Sequence, residues 1–324
     1  MTAAPLVSVA MCTYNGARYL PAQLDSIAAQ SQPPHELVVC DDVSTDATPD
    51  LLAQFAETVQ FPVRVTVNAR RLGSTENFAQ AIGLCTGDAI ALADQDDVWP
   101  PTKLATYQAL FARAPHVGGI FADAEIVDED LRPLGYGLWQ YLGFTPREQR
   151  RVRTGGAFEV LLRHDVVLGA TLAFRAALRD LVLPIPPPWA HDRWIPLLLA
   201  AATHLAALPR PLIHYRQHIA QQFGAAPRTL RGQIARVHGA DRARYAALAD
   251  QYLAARERLL AAGVLHPGAR RLARLEAKIA HFRARAAMPR QPLLRLPWVL
   301  RELAGRRYHR YAGGWTSVAT DLVF

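Results

Sequence analysis

Along the first hundred residues, short apolar runs alternate with stretches whose apolar positions recur every three to four residues. "LVSVAM" (6–11), "ELVVC" (36–40), "VRVTV" (63–67) and "DAIALA" (88–93) have the length and composition of buried strands. Between them, "YLPAQLDSIAAQ" (19–30) and "DATPDLLAQFAET" (46–58) carry the helical period. Strands spaced by about 25 to 30 residues leave room for one crossover helix each, as a parallel sheet requires. The pattern predicts an α/β protein with a Rossmann-like, mostly parallel sheet flanked by helices, and ligands gathering where the strands end.

Each run stops in polar residues. The first leads into Thr13, Tyr14, Asn15 and Gly16, and the second into Asp41 and Asp42. Asn68, Arg70, Arg71 and Gly73 follow the third, and Asp94, Gln95, Asp96 and Asp97 the fourth. One carboxylate at a strand-to-helix turn is an ordinary helix cap, a role open to Asp46. Three carboxylates within four residues repel one another, and that cost points to a compensating cation.

Composition narrows the class. Of 324 residues, 51% are hydrophobic and 20% charged, which excludes a disordered chain and suits a large domain with a smaller appendage. Cys12, Cys40 and Cys85 form no metal-binding spacing and read as buried thiols of a cytoplasmic protein. The N-terminal stretch lacks the basic and long apolar regions of a signal peptide. "IPLLLAAATHLAALP" (195–209) is too short and too interrupted to span a bilayer. Charge is divided unevenly: residues 1–227 carry 17 Lys and Arg against 22 Asp and Glu, whereas residues 228–324 carry 19 against 6. A mildly acidic domain, 1–225, is therefore expected to precede a basic helical region, 226–324.

"VSVAMCTYNGARYLPAQLDSIAAQS", "VVCDDVSTDAT", "NFAQAIGLCTGDAIALADQDDVWPPTK", "LGATLAF", "HDRW" and "YRQH" follow in an order that resembles family 2 glycosyltransferases of the GT-A fold, most strongly the rhamnosyltransferase-like branch that builds bacterial surface polysaccharides. The resemblance spans roughly residues 6–220. It implies an inverting transfer of a sugar from a dTDP- or UDP-sugar donor, with dTDP-rhamnose foremost, onto a glycan or lipid-linked glycan. In that frame Asp96 holds Mg²⁺ or Mn²⁺ against the donor diphosphate, hard ions that take one or two carboxylates and complete their shell with phosphate and water. Asp94 then contacts the donor ribose or sugar, and Asp97 is either a supporting or an acceptor-side group.

The same resemblance gives Asp42 the imide N–H of the base, with Cys12 to Tyr14 in the base pocket and Asn15 beside it. Arg71 stacks on the base or offsets phosphate charge, while Phe78 reads as core. Asp192, entering an apolar helix from a proline-rich loop, is implied as the general base, with His191 as an orienting partner. Arg216 would close over the diphosphate and His218 would join Asp96 on the metal. The family commonly follows that His with Gly and Asn, whereas Ile219, Ala220 and Gln221 stand here, which leaves the shape of the closing loop open. Gly169 to Thr171 would bring backbone close to the donor sugar or acceptor. The aromatic and basic stretch 135–158 suits an acceptor-facing insertion or a surface loop equally.

The tail predicts helices over 232–263 and 268–288 with apolar stripes opposite arginines. "QPLLRLPWVLRELAGRRYHRYAGGW" (291–315) mixes Leu and Trp with Arg, a composition that suits peripheral contact with an anionic membrane face. No nucleic-acid motif accompanies the charge. A nicotinamide oxidoreductase is disfavoured because "CTYNGARYL" lacks G-x-G-x-x-G. A nucleotidyltransferase would share the carboxylates but needs a glycine- and arginine-rich triphosphate loop after the first strand, and a noncatalytic nucleotide-sugar-binding protein would need no Asp96 with Asp192.

Overall fold

The computed structural model describes residues 4–218, 242–262 and 269–323. The four runs form β1 (Val7–Thr13), β2 (Glu36–Asp41), β3 (Val63–Val67) and β4 (Ala89–Ala93), all parallel in the order β3-β2-β1-β4. Helices α1 (Leu20–Ala28), α2 (Thr48–Thr58), α3 (Ser74–Leu84) and α4 (Lys103–Arg113) follow them. Pro21 and Pro49 stand in the first turns of α1 and α2, where no N–H is needed and a fixed φ favours the helix. Alternation along β1 sends Val7, Val9 and Met11 into one core with Leu20, Leu24, Ile27, Leu52, Tyr107 and Phe111. β3 lies at the sheet's edge, which is why its VRVTV alternates and leaves Val65 and Val67 exposed.

The sheet then turns mixed. β5 (Val117–Val127), β6 (Pro133–Gly137), β7 (Leu172–Arg175) and β8 (His204–Arg216) extend it to β3-β2-β1-β4-β7-β5-β6, with β8 paired to β5. β7 is antiparallel to both β4 and β5, and β8 is parallel to β5. Segment 135–158 is no loop. It completes β6 and builds α5 (Leu138–Leu142), α6 (Pro146–Arg153) and the start of α7 (Ala157–Leu161). Trp139 and Phe144 pack around Phe121 and are core, and Thr145 with Glu148 forms a reciprocal cap on α6. After α8 (Arg179–Val182), α9 (His191–Ala202) is anchored by its buried apolar side and by the Trp194 indole N–H donating to the Val182 carbonyl at 2.7 Å.

The residues fall into two compact units, Met1–Gly155 with Val167–Ala225, and Gly156–Val166 with Ala226–Phe324. In the second, α10 (Arg242–Ala261) pairs with α11 (Ala269–Ala286), followed by α12 (Leu296–Ala304), α13 (Arg307–Tyr311) and α14 (Trp315–Val323). Lys278 donates to the Leu162 carbonyl at 2.6 Å and Arg274 pairs with Glu159, which ties α7 to this unit. The expected helix before residue 242 and the closing-loop residues 219–221 lie outside the described residues.

One buried carboxylate staples the first unit. Glu36 accepts from the Ser8 hydroxyl (2.7 Å), the Thr86 N–H (2.6 Å) and hydroxyl (2.7 Å), and Arg64 Nε and Nη2 (3.0 and 2.5 Å). Burial pushes its carboxyl up, but these donors outweigh burial and hold it at about 2. The stabilisation is whole above the unfolded value near 4.5 and is lost as pH falls from there through about 2. Glu36→Gln is expected to cost about 2 kcal/mol near neutrality. Urea melts at neutral and acid pH check this: the gap from wild type must shrink in acid, and a pH-independent gap would refute the linkage.

Candidate active site

At the carboxyl ends of β1 and β4, where strand order reverses, opens a cavity of about 960 Å³. Thr13, Tyr14, Asn15, Asp42, Arg71, Asp94, Asp96, Asp192 and His218 all line it. Asp96 and Asp192 thus share one cavity although 96 positions separate them.

The β1 end is held by its neighbours. Gln95, between the aspartates, accepts from the Tyr14 N–H (2.8 Å) and donates to the Tyr14 carbonyl (3.1 Å), clamping that peptide to the end of β4. Gly16 leaves the space for this clamp, since a Cβ there would lie 2.2 Å from Gln95 Oε1. Buried Asp41 accepts from the Thr13 hydroxyl (2.7 Å) and from the Ser44 N–H and hydroxyl (2.8 and 2.6 Å), and Asn15 Oδ1 accepts from the Thr45 N–H (2.8 Å). Asn15 and Val43 sit at φ 46° and 63°, and for a β-branched residue that is strained backbone held by this web.

Asp42 is committed to its own chain. Its Oδ1 accepts from Asn68 Nδ2 (3.0 Å) and the Leu72 N–H (2.6 Å), and its Oδ2 from the Gly73 N–H (2.8 Å). Burial raises its carboxyl, and these bonds together with Arg71 outweigh burial and hold it below the usual range. A carboxylate offers about four acceptor positions, so one on Oδ2 is left for a ligand. Gly73, at φ 81°, supplies the turn that aims both N–H groups. Asn77, Asn68 and Gln80 extend the network beneath it. The Arg71 guanidinium stacks 3.7 Å from the Tyr14 ring centre, a planar cation at the cavity wall.

The carboxylates on the far side interact. Burial first, then the charges of Asp96 and Asp192, push Asp94 up to about 7, with Lys103 opposing. Asp192 stands in the first turn of α9, where a negative charge is favoured. Gly169 makes room for the neighbouring His191 ring, since a Cβ there would meet its Nε2 at 2.5 Å, and lies in ordinary contact with Asp192. His191 stacks on Phe78 (ring centres 4.2 Å apart), and burial pushes it down to about 4, so it is neutral near pH 7. Phe78 is buried, yet it also lines the cavity.

Residues 8–161 match Glycosyl transferase family 2. An uncharacterised glycosyltransferase of Nostoc is 28% identical over 225 residues, 68% of this chain and 67% of that protein. Three further relatives at 26% identity are longer, and the chain spans 59% of their length. Among solved structures, S. aureus TarS in complex with UDP-GlcNAc superposes with a TM-score of 0.58 at 16% identity, over 97% of this chain and 90% of that one. The Pyrobaculum calidifontis mannosyltransferase PcManGT, in complex with GDP-Man and Mn²⁺, gives 0.52 at 21%, over 99% and 86%.

Over residues 8–161 the chain is similar to a family 2 glycosyltransferase domain.

The chain has the fold of GT-A glycosyltransferases. Among the described residues no three His, Cys, Asp or Glu side chains converge as a closed metal site. Asp96 Oδ2 and His218 Nε2 do meet, at 2.8 Å, on the cavity wall. One carboxylate and one imidazole fit an ion such as Mn²⁺ or Mg²⁺ that draws its other ligands from phosphate and water. The His218 ring lies against Tyr19, 4.4 Å between centres.

One expected placement changes and one pair of alternatives is narrowed. Arg216 does not line the cavity: it is buried beneath it, where Nε donates to the Asp96 carbonyl at 2.8 Å and Nη1 to the Glu129 carbonyl, so it shapes the Asp96 turn from below. Asp97 has no accessible surface and takes the Arg216 N–H at 3.2 Å, which removes it from any acceptor side. Burial and the charges of Asp96 and Asp94 push it well up. Gln95, Lys103 and Glu129 were not singled out from sequence. Lys103, fully buried, donates to the Ala170 carbonyl at 2.8 Å and sits 3.5 Å from the Trp99 ring centre. A lysine eight residues after Gln95, in the first turn of a helix that follows a carboxylate cluster, was the available signal.

Proposed function

We propose that the protein is an inverting glycosyltransferase that transfers a hexose, with L-rhamnose from dTDP-rhamnose foremost and a UDP-sugar next, to a glycan or lipid-linked glycan in bacterial surface polysaccharide synthesis. The observation that carries this reading is that Asp96 and Asp192 open onto one cavity at the reversal of strand order. The volume of about 960 Å³ suits a nucleoside diphosphate sugar, and the TarS and PcManGT complexes hold nucleotide-sugars on the same fold.

The base lies over Cys12 to Tyr14, its imide N–H on the remaining acceptor position of Asp42 and the Arg71–Tyr14 stack beside it. Asp94 takes ribose or sugar hydroxyls. Asp96 and His218 would hold Mg²⁺ or Mn²⁺, which would supply positive charge against the departing diphosphate. Asp192 accepts the proton of the acceptor hydroxyl as its oxygen attacks the anomeric carbon and the bond to the diphosphate breaks. Arg216 acts from beneath by fixing the Asp96 backbone.

Calorimetry with UDP, dTDP and GDP, with and without Mn²⁺, tests the reading. One of the pyrimidine nucleotides should bind in a Mn²⁺-enhanced manner, and Asp96→Ala should weaken that binding at least about tenfold. Binding of no nucleoside diphosphate, or an Asp96→Ala variant equal to wild type, would overturn it.

A further inference from the structure

α12 has two apolar faces: buried Val299, with Trp298 and Leu303 packed beside it, joins Met288, Tyr308 and Val318 in a small core, and a second face is turned outward. Leu296, Pro297, Leu300, Arg301 and Ala304 face solvent, whereas Val299 and Glu302 are buried. Positions three and four apart share a face, so Leu296 and Leu300 form one stripe, which the preceding turn Pro292–Arg295 prolongs with Leu293 (91% exposed) and Leu294 (56%). Trp315, 68% exposed, opens α14, which packs against that turn. The acids of this region lie inside. Glu302 is held by His281 (2.7 Å) and Arg307 (2.7 Å), and Asp321 by both arms of Arg285 (2.7 Å each) and by the Tyr308 hydroxyl (2.6 Å). Arg295 is buried against the carbonyls of Pro289, Arg290 and Asp321.

A helix that already packs Trp298, Val299 and Leu303 inside and still exposes Leu296 and Leu300 has an apolar partner outside the unit. The charge around the stripe identifies that partner. From residue 277 to 323 the chain has nine Lys and Arg and two acids, Glu302 and Asp321, both buried and paired. Arg283, Arg290, Arg301, Arg306 and Arg310 are exposed with no acidic side chain among them. A second copy of the same face would set positive charge against positive charge.

We propose that this face docks on an anionic lipid surface. Leu293, Leu294, Leu296 and Leu300 enter the boundary between headgroups and acyl chains, Trp315 sits at headgroup level, and the arginines hold the anionic headgroups. At nine residues α12 is too short to cross a membrane, so the contact it makes is interfacial. It deepens the lipid-linked acceptor reading without resting on it, because its measurement involves no sugar transfer.

Flotation of the full chain with vesicles of phosphatidylcholine, alone or mixed with phosphatidylglycerol, provides the test. Binding is expected on the mixed vesicles and is weakened by high salt. The pair Leu296→Glu and Leu300→Glu should lower partition at least about tenfold, with circular dichroism and melting temperature showing that the fold is kept. Arg301→Gln and Arg310→Gln should each cost about fivefold on anionic vesicles. Absence of binding to the mixed vesicles overturns the proposal, as does equal partition of the glutamate variant. Sedimentation that shows self-association dispersed by the glutamate pair, with vesicle binding unchanged, assigns the face to a second copy and also overturns it.

Discussion

Asp192→Asn is expected to lower kcat for sugar transfer by about a thousandfold while leaving donor binding intact or slightly tighter. The substitution keeps the shape of the side chain and removes only its capacity to take a proton, an effect worth two to four powers of ten for a general base. The sign on binding follows from electrostatics. Asp192 is one of the charges that push Asp94 up to about 7, so neutralising it relieves repulsion within the cluster and also towards an incoming diphosphate. A purely structural role for Asp192, capping α9, predicts the reverse: lower stability and weaker binding with kcat little changed. Steady-state kinetics with the donor found by calorimetry, beside nucleotide titration and thermal melts, separates the two. Retention of more than about a tenth of wild-type kcat would remove Asp192 as the base.

The half of the sheet that positions this site was legible because β1, β2 and β4 are buried on both faces and read as continuous apolar runs ending abruptly in Asp or Thr. The other half was not. β5 contains Gly118 and Gly119, which weaken the strand signal yet are demanded by packing: a Cβ at Gly118 would lie 2.3 Å from the Thr203 hydroxyl, and one at Gly119 2.9 Å from Leu199 and Leu205. β8 contains Pro209 and Pro211, and its pairing with β5 jumps from Leu208 to Pro211 between Ala122 and Asp123, an irregularity that absorbs residues unable to join a regular ladder.

In the site, the residues that face the cavity were readable from their types at the strand ends, whereas those that act from beneath were not. Arg216 looks like a phosphate ligand in sequence because permanent charge is what sequence displays; that its donors are turned to two backbone carbonyls is a tertiary fact. Gln95 was overshadowed by the aspartates on either side, though an amide, with a donor and an acceptor, is the side chain able to hold both ends of the Tyr14 peptide.

Lys103→Met is expected to destabilise the protein by about 3 kcal/mol and to impair transfer as well, even though Lys103 lines no part of the cavity. Its ammonium has no accessible surface and stands in the first turn of α4, where the helix dipole disfavours a cation. Burial pushes it well down, and the charges of Asp97 and Asp94 pull it back. What offsets these costs is what methionine lacks: the hydrogen bond to the Ala170 carbonyl, the contact with the face of Trp99, and attraction to the charges of Asp97 and Asp94. Removal leaves a buried carbonyl without its donor and strips a cation whose charge holds Asp94 down. Ala170 follows Gly169, whose closeness to His191 and Asp192 depends on the placement of that segment, so kcat falls with stability. Differential scanning fluorimetry should show a drop of about 6 to 12 °C. The double variant Lys103→Met with Asp97→Asn separates charge from packing. If Lys103 is retained chiefly to neutralise the buried cluster, removing Asp97's charge restores part of the loss, and the two effects fail to add. A Lys103→Met protein that melts within about 1 °C of wild type would show that the cluster is neutralised by something other than this buried amine.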